Sequence, residues 1–372
     1  MIVPGGFDPS EEVRVIPALL ALLRRLADRH DIHVFALAQI GPPACWTLYG
    51  ATIHNLGQSK PRGRIGSLTN QASAIAAVMR INRMRQFDLI QSVWSGACGL
   101  VGVSAARLLK IPCFVHVAGG ELAAVPDIKY GGALRWRSRL RERLVLRAAS
   151  AVSAASAPIL RQIELVGIQA RRIPLGVDLH QWSPMPPTRR EPGSPVRLIH
   201  IASLNRVKDQ PTMLAALSNV LSAHHDCRVD IVGEDTLDGN IQAQARRLGM
   251  ADRIHFHGFL TQRQLRPLIE RAHINVISSR HEAGPLVVLE AALVGVPTVA
   301  TAVGHIVEMA PDAAVSVPIG SAMELAAGIN QLIDNEDRRL SIAAAALDWA
   351  IVHDAEFTVR EFEAMYSEFS LS

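Results

Sequence analysis

The sequence has few of the features that mark secreted, membrane-spanning or metal-dependent proteins. Its four cysteines are far apart and form no C-x-x-C pair, so we expect a reducing cytoplasm and no structural metal. The 14 histidines show no H-E-x-x-H group or comparable grouping with cysteine, so we expect activity that survives chelation. Residues 1–30 lack a basic segment followed by an apolar one, and no stretch of about 18 apolar residues is free of charge, which argues against a signal peptide and a membrane span.

Two further classes of protein fit the composition poorly. The formal net charge of +4 is small for 372 residues and does not imply nucleic acid binding. The G-x-G-x-x-G fingerprint is absent from both first strand-to-helix turns, which argues against a Rossmann dehydrogenase. With 49% apolar and 19% charged residues the chain is typical of an ordered globular protein, and its length predicts two domains with separate hydrophobic cores.

Short β-rich runs alternate with longer helical patterns along most of the chain. Strands that are apolar on both faces and separated by crossover helices predict a parallel sheet covered on both sides. These runs are residues 32–37, 87–93, 111–117, 196–202, 229–232, 254–257, 274–277 and 298–300. The polar, proline-rich residues 183–195 cannot continue a helix or a central strand and are the predicted linker. We therefore predict an α/β fold of two doubly wound, Rossmann-like domains, residues 1–187 and 188–352, facing each other across a cleft.

The first predicted strand is short, because residues 1–3 are followed at once by a proline and two glycines. Either the strand has three residues or the natural start of the protein lies upstream. Asp8 as N-cap and Pro9 at the first helical position then predict a helix. Gly5 and Gly6 therefore form the loop between this strand and this helix.

Glu282 and Glu290 lie in the most informative segment of the sequence. The apolar run 274–277 precedes them, and Pro285 suits the first position of a helix, so a buried strand leads into a helix here. In an open parallel sheet this is where ligands bind. Along the helix axis, Glu290 would lie roughly 7 to 8 Å beyond Pro285, at about 1.5 Å per residue.

A phosphate is the natural ligand of this helix start. The N–H groups of Leu286 and Val287 are free to point at an anion. The carboxylates of Glu282 and Glu290 would bracket a nucleoside diphosphate that carries a sugar, because one can accept hydrogen bonds from sugar hydroxyls and the other from ribose hydroxyls. The alternative is that Glu282 is a solvated loop residue and Glu290 is a lone charge favoured by the helix dipole. The spacing alone does not decide between these two interpretations.

Residues 282–291 resemble the signature of the family 4 retaining glycosyltransferases, which have the GT-B fold. Further segments resemble that family in the expected order: the glycine loop 4–6, the histidine segment 115–120, the turn 173–178, the phosphate-binding loop 202–209, and residues 232–233, 254–259 and 304–308. The resemblance covers nearly the whole chain. It also implies that a C-terminal helix, residues 353–372, crosses back to brace the first domain.

The resemblance implies transfer of a hexosyl-type sugar from a UDP- or GDP-type nucleotide sugar to an acceptor hydroxyl, with retention at the anomeric carbon and without a cofactor or required metal. The acceptor would be a glycan, a lipid-linked saccharide or a small molecule. The residues implied to be catalytic are His116, Lys208 and Glu282. Those implied to bind the donor are Gly5, Gly6, Ser203, Arg206, Lys208, Gly258, Phe259, Glu282, Gly284, Leu286, Val287 and Glu290.

Lys208 and His116 each have a simpler interpretation as well. Lys208 resembles the family's phosphate-binding lysine, and a desolvated cation aimed at the leaving diphosphate stabilises such a transition state, but it is otherwise a solvated loop lysine. His116 is implied to contact the donor sugar through a neutral imidazole, whereas a lone histidine on a buried strand is more often a satisfied core residue. Backbone groups near Gly258 and Phe259 are expected to read the base.

The chain departs from the family pattern at three places. Ser203 stands where the family usually has an arginine, and Arg206, closer to Lys208, is our hypothesis for the second cation. Residues 284–285 replace a common aromatic and glycine, and residues 304–305 replace a common double glycine. These departures bear on the identity of the sugar more than on the class of reaction.

Residues 129–147 are strongly basic. On a helix two neighbouring stripes would form, a basic one of Arg135, Arg139, Arg143 and Arg147 and an apolar one of Trp136, Leu140, Leu144 and Ala148. Such a helix could rest on anionic lipid at the inner face of the membrane, where each cation near the surface is worth about 1 kcal/mol. The alternative is a surface helix that packs its apolar stripe inward and leaves its arginines in water.

Three other functions fit less well. A paired-carboxylate glycosidase needs Glu282 and Glu290 to converge on one bond, whereas a helix start separates them. A nucleotide-sugar epimerase of the same fold would work without an acceptor. A catalytically silent nucleotide-sugar-binding subunit is conceivable because Ser203 replaces the usual arginine.

Overall fold

The computed structural model describes residues 1–57 and 63–370, which form two compact units. Unit 1 consists of Met1–Gly176 together with the chain from Ala355 onward, and unit 2 consists of Val177–Asp354. The last two residues of the predicted C-terminal helix, 371–372, lie outside the described residues.

The proline-rich stretch after residue 182 belongs to unit 2, so the boundary lies before Val177 and not between residues 187 and 188. Trp182 is only 1% exposed and is part of the core of unit 2. The N–H of Met185 donates a hydrogen bond to the carbonyl of Leu293 (2.7 Å). The composition of the proline-rich stretch predicted a boundary that is too late in the chain. Composition does not reveal that Trp182, which precedes this stretch, packs in the core of unit 2.

The elements alternate along the whole described chain. The strands are β1 (Ile2–Val3), β2 (His33–Ala36), β3 (Ala44–Leu48), β4 (Ala51–Asn55), β5 (Ile90–Val93), β6 (Cys113–Val117), β7 (Ala151–Ala154), β8 (Arg171–Arg172), β9 (Arg197–Ile201), β10 (Arg228–Val232), β11 (Ile254–Gly258), β12 (Ile274–Ile277), β13 (Thr298–Thr301) and β14 (Val315–Val317). The helices are α1 (Pro17–Ala27), α2 (Gly63–Arg85), α3 (Ala97–Leu109), α4 (Trp136–Ala148), α5 (Ala157–Glu164), α6 (Gln210–Ala223), α7 (Asn240–Arg247), α8 (Gln262–Glu270), α9 (Leu286–Leu293), α10 (Ile306–Met309), α11 (Ala322–Asp334), α12 (Glu336–Val352) and α13 (Ala355–Ser370). Within residues 1–57 and 63–370, none of the helices has both the length and the apolar character that a membrane crossing requires.

Unit 1 is built on an eight-stranded sheet in the order β3-β4-β2-β1-β5-β6-β7-β8. Its neighbouring strands run parallel except for the antiparallel pair of β3 and β4. Helix α13 completes the core of this unit, because Phe362 and Tyr366 are buried beside Phe114 of β6. The hydroxyl of Thr358 on α13 also donates to the carbonyl of Pro174 (2.8 Å) and accepts from the N–H of Gly176 (2.9 Å).

Unit 2 is built on a six-stranded, wholly parallel sheet in the order β11-β10-β9-β12-β13-β14. Adjacent residues of β9 enter opposite cores, since successive side chains of a strand point to opposite faces. Leu198 packs with Leu217 of α6 and Ile329 of α11, whereas Ile199 lies in the core that contains Leu289 of α9. The sheets of both units and their helical cover confirm the predicted α/β fold of two doubly wound domains.

The helix after β1 does not begin where the sequence predicted. It begins at Pro17 and not at Pro9. A helix starting at Pro9 would place Pro17 in its interior, where proline lacks the N–H for the helical hydrogen bond and its ring clashes with the carbonyl four residues earlier. Asp8 instead accepts a hydrogen bond from the N–H of Ser10 (3.0 Å) and forms a turn. Asp8 was predicted to cap a helix, whereas it belongs to a turn that precedes α1.

Candidate functional site

Two loops of unit 2 bring Lys208 and Glu282 into contact. Lys208 follows β9 and Glu282 follows β12, and these strands are neighbours in the sheet. The Nζ of Lys208 lies 2.5 Å from Oε1 of Glu282, and the Oγ of Ser279 donates to the same carboxylate oxygen (2.6 Å). The side chains of Lys208 and Glu282 are 23% and 13% exposed, so this ion pair is accessible but largely desolvated.

Serine and threonine side chains tie these loops together. The Oγ of Ser278 donates to the carbonyl of Lys208 (2.7 Å), and the Oγ1 of Thr301, at the end of β13, donates to the carbonyl of Ser279 (2.6 Å). Ser278, Ser279 and Thr301 are fully buried. The ends of three adjacent strands are therefore held in fixed relation. Sequence reasoning missed these hydroxyl residues, although the position of Ser278-Ser279 directly after a buried strand was a usable signal.

The same loops approach each other closely at glycines. Gly233, after β10, has φ +150°, and a Cβ there would collide with the carbonyl oxygen of Ala202. Gly304, after β13, has φ +52°, and a Cβ there would lie 2.8 Å from Cδ of Pro285. Only glycine combines these backbone angles with so little space. The loop that carries Lys208 and the segment before α9 are thus each packed against backbone from a neighbouring loop.

Helix α9 begins at Leu286, one residue later than predicted. Pro285 occupies the N-cap position with extended backbone (φ −72°, ψ 105°), because its fixed φ is compatible with both positions. The N–H groups of Leu286 and Val287 belong to the first turn, which has no acceptors within the helix. Gly284, Leu286 and Val287 are half-buried, so the start of α9 is accessible from outside.

Glu290 lies on α9 but in a separate environment from Glu282. It is 4% exposed and accepts a hydrogen bond from Nε2 of Gln262 (2.6 Å), whose Oε1 accepts from Nε1 of Trp182 (2.8 Å). Burial raises the pKa of Glu290 to about 7, and the hydrogen bond from Gln262 opposes that rise. Glu282 and Glu290 have different partners, so they do not form a converging acid and base pair.

Ser203 and Arg206 lie on the loop between β9 and α6, and both are exposed. The carbonyl of Ser203 accepts a hydrogen bond from Nε2 of Gln210 (3.1 Å). Within the described part of the chain, Arg206 makes no hydrogen bond or ion pair. It is therefore a free cation on the loop of Lys208.

His200 and Gln210 form a buried polar pair that the sequence did not predict. This pair supports the loop that carries Lys208. Nε2 of Gln210 lies 3.3 Å from Nε2 of His200, whose Nδ1 lies 2.8 Å from the carbonyl of Val276. Burial, with a smaller contribution from the charge of Lys208, lowers the pKa of His200 to about 4, so the ring is neutral. The imidazole fixes the spacing of β9, β12 and α6 without adding charge.

Gly258 is the last residue of β11, the edge strand of the sheet, and Phe259 follows it. Gly258 has φ +69°, which turns the chain sharply after the strand. The Phe259 side chain is 56% exposed, which is unusual for a large apolar residue. An exposed aromatic ring at a strand end can stack on a planar base.

In unit 1, the glycine loop after β1 is already hydrogen-bonded. The N–H groups of Gly6 and Phe7 donate to Oε1 of the buried Gln39 side chain (2.7 and 3.2 Å). Gly6 has φ +98°, and a Cβ there would lie 2.7 Å from Cγ1 of Ile16. Gly5 and Gly6 therefore form the predicted tight loop, but its amides are taken by Gln39, which the sequence did not reveal.

His116 lies inside unit 1. It is 1% exposed, its Nδ1 lies 2.9 Å from Oγ of Ser153, and its ring packs edge-to-face on Phe362 of α13 (5.3 Å between centroids). Burial lowers the pKa of His116 to about 3, so the ring is neutral. Among the described residues its Nε2 has no hydrogen-bond partner. Its surroundings resemble those of a core histidine, with one nitrogen left for a further contact.

The sequence did not predict a role for the carboxylate of Glu121, which follows β6 in unit 1. The N–H of Ser95, just after β5, donates to Oε1 of Glu121 (3.1 Å). The Oγ of Ser95 donates to Oε2 of Glu142 on α4 (2.6 Å). Burial raises the pKa of Glu121 to about 7. A glutamate directly after the pair of glycines that follows β6 was the available signal.

Two family matches together span most of the chain. Residues 186–349 match the family described as "Glycosyl transferases group 1", and residues 15–176 match the "Glycosyl transferase 4-like domain". The chain belongs to the group 1 glycosyltransferases. This confirms the resemblance to that family that residues 282–291 indicate.

Curated relatives of this glycosyltransferase are similar to it over only part of its length. A D-inositol 3-phosphate glycosyltransferase from Geodermatophilus obscurus is 28% identical over 311 residues, which cover 76% of this chain and 68% of that protein. A glycogen synthase from Mycobacterium tuberculosis is 29% identical over 189 residues, which cover 48% of this chain and 45% of that protein. The chain thus spans less than half of the length of the second relative.

Solved structures with similar folds superpose on nearly the full length of this chain. Sucrose-phosphate synthase from Thermosynechococcus elongatus superposes with a TM-score of 0.82 at 17% identity, covering 100% of this chain and 99% of that one. HepE from Anabaena, solved in complex with UDP and glucose, gives 0.75 at 19% identity, covering 99% and 98%. These likenesses show the GT-B fold. In the described residues of this glycosyltransferase, no three His, Cys, Asp or Glu side chains are grouped to hold a metal ion.

Proposed function

We propose that this glycosyltransferase moves a hexosyl-type sugar from a nucleoside diphosphate donor to an acceptor hydroxyl, with retention at the anomeric carbon. The observation that carries the proposal is the Lys208–Glu282 ion pair beside the start of α9. It joins a cation, a carboxylate and free helical N–H groups at the carboxyl edge of a parallel sheet, where such folds bind ligands. We favour UDP as the nucleotide of the donor, because HepE, which has a similar fold, was solved in complex with UDP and with UDP-glucose.

The diphosphate would lie between Nζ of Lys208 and the N–H groups of Leu286 and Val287. An ammonium has three donors, so Lys208 can bind phosphate and keep its contact with Glu282. Both observed contacts of Glu282 fall on Oε1, which leaves Oε2 to accept from a sugar hydroxyl. Glu282 thus holds the sugar while the lysine holds its leaving group.

The remaining donor contacts would come from three residues around this centre. Glu290 would accept hydrogen bonds from the ribose hydroxyls, and the exposed ring of Phe259 would stack on the base. Arg206 would supply a second cation to the diphosphate, in place of the arginine that Ser203 replaces.

We propose that the reaction needs no metal ion. Charge develops on the departing diphosphate in the transition state, and preorganised donors aimed at that charge lower the barrier. Lys208, Arg206 and the first-turn N–H groups of α9 supply such donors. The acceptor would be a glycan, a lipid-linked saccharide or a small molecule.

The test is a panel of UDP- and GDP-sugars, scored first by thermal shift and then by released nucleoside diphosphate, with and without a chelator. We expect one UDP-hexose to raise the unfolding midpoint and to be consumed only with an acceptor, equally well in chelator. Nuclear magnetic resonance of the product then reads the anomer, and an inverted product would contradict retention. Donor binding without turnover would indicate a silent binding subunit, and an epimerised donor would indicate an epimerase.

A further inference from the structure

Helix α4 exposes its apolar stripe to solvent. Its buried residues are Glu142, Val145 and Leu146. Trp136, Leu140 and Leu144, spaced four residues apart and therefore above one another on one face, are 62%, 50% and 58% exposed. The structure thus excludes the alternative in which this stripe packs inward. An exposed apolar stripe of this length needs a partner to cover it.

Arginines line both sides of that stripe. At about 100° per residue, Arg139 and Arg143 lie on one flank of Leu140 and Arg137 lies on the other. These arginines are exposed, as are Arg135 and Arg147. The single acidic residue of α4 is Glu142, which is 1% exposed and is bound by Arg141 (2.7 Å) and Ser95 (2.6 Å). The exposed face of α4 is therefore wholly apolar and cationic.

We propose that this face of α4 docks on an anionic lipid surface. Trp136, Leu140 and Leu144 would enter the boundary between head groups and acyl chains, and the flanking arginines would bind lipid phosphates. The amphipathic character of tryptophan suits this depth. The contact is peripheral, with α4 lying in the plane of the surface.

The charge of the face selects this occupant over a second copy of the chain. A twofold contact places the same patch on both subunits, so it would set the arginines of one copy against those of the other. An anionic bilayer offers phosphates along the whole stripe and an apolar phase beneath them. The inference goes beyond the proposed reaction and does not depend on it, because α4 lies in unit 1 and the Lys208–Glu282 pair lies in unit 2.

The test is flotation of the full chain with vesicles of phosphatidylcholine, with and without about 30% phosphatidylglycerol, at about 0.1 M salt. Two variants probe the face: Leu140→Ser with Leu144→Ser, and Arg139→Glu with Arg143→Glu. The matched controls are Leu248→Ser and the pair Arg246→Glu with Arg247→Glu, which alter an exposed leucine and two exposed arginines at the end of α7 in unit 2.

We expect flotation only with anionic vesicles, weakened by higher salt, and about tenfold or more weaker binding for both α4 variants. The controls should float like the unmodified chain. Equal binding to neutral vesicles, no flotation, or equal losses in the controls would overturn the proposal. So would a dimer in sedimentation that the Leu140→Ser, Leu144→Ser variant dissociates, because the stripe would then be covered by a second copy. An unchanged unfolding midpoint without any ligand shows that each variant is folded, so the outcome of this test is independent of whether a nucleotide sugar binds.

Discussion

At the residue scale, Glu290 combines a buried carboxylate with a single amide partner. Burial raises its pKa from 4.5 to about 7. Between these two values the folded protein binds more protons than the unfolded chain, so the free energy of unfolding falls as the pH rises through this window. A ligand whose hydroxyls donate to Glu290 would favour the charged form and offset that loss.

We expect Glu290→Gln to be more stable than the unmodified protein at pH 8 and equally stable near pH 4. Glutamine keeps an oxygen that can accept from Gln262 and has no charge to bury. Urea unfolding at a series of pH values measures the difference. The control is Glu164→Gln at an exposed position of α5, for which the difference should not grow with pH. A stability difference for Glu290→Gln that stays constant between pH 4 and 8 would contradict the assignment.

Lys208 and Arg206 offer a second test at the same scale. Lys208→Ala should lower kcat by about 100- to 1,000-fold, because it removes a desolvated donor to the leaving diphosphate. Arg206→Ala should lower kcat by about tenfold, because an exposed cation is screened by solvent.

Steady-state rates of nucleoside diphosphate release measure both effects, and Arg246→Ala at an exposed site of α7 is the control. Near-normal turnover of Arg206→Ala would remove Arg206 from the site. Near-normal turnover of Lys208→Ala would remove the observation on which the proposed function rests.

At the scale of elements, the strand-end loops depend on close backbone contacts. Gly233→Ala should lower the free energy of unfolding by about 3 kcal/mol, because a Cβ meets the carbonyl of Ala202 and the backbone angle is unfavourable for alanine. Gly239→Ala is the matched control, with φ +77° and nothing within 4 Å of the added Cβ. It should cost about 1 kcal/mol from backbone strain alone. Equal losses in urea unfolding would show that the contact with Ala202 is relieved at no cost.

The sequence predicts elements that local patterns define, and it does not predict contacts between residues that are far apart in the chain. Strand β12 occupies residues 274–277 as predicted, because an apolar run between breakers suffices to define a buried strand. Helix α1 was predicted to begin too early, because the residues around Asp8 are typical of a helix start as well as of a turn, and Pro17 excludes a helix that runs through it. The contact of Lys208 with Glu282 and the use of Gln39 by the glycine loop depend on tertiary structure, which a local pattern does not contain.

At the scale of the whole molecule, unit 1 is assembled from two separate parts of the chain. Helix α13 covers Phe114 and the ring of His116 with Phe362, and Glu356 and Glu363 pair with Arg29. Removing α13 would expose this cluster of buried aromatic residues to water. Fully burying one such side chain is worth about 1.5 to 3 kcal/mol.

We expect a chain truncated after Asp354 to lose the stability of unit 1 while unit 2 stays folded. Calorimetry should show one transition lowered or missing and the other unchanged. The matched control is the full chain with Glu361→Gln on α13, which should keep both transitions. Loss of both transitions in the truncated chain would mean that the units unfold as one.

The interleaved path of the chain also sets an order of events during synthesis. All residues of unit 2 emerge from the ribosome before α13 does, although strands β1 to β8 of unit 1 are made before unit 2. Domains generally fold as units once their residues are available. Unit 1 is therefore completed after unit 2, although most of it is translated earlier. The apolar surface of unit 1 that α13 covers stays exposed to water until α13 has been made, whereas unit 2 can already be folded.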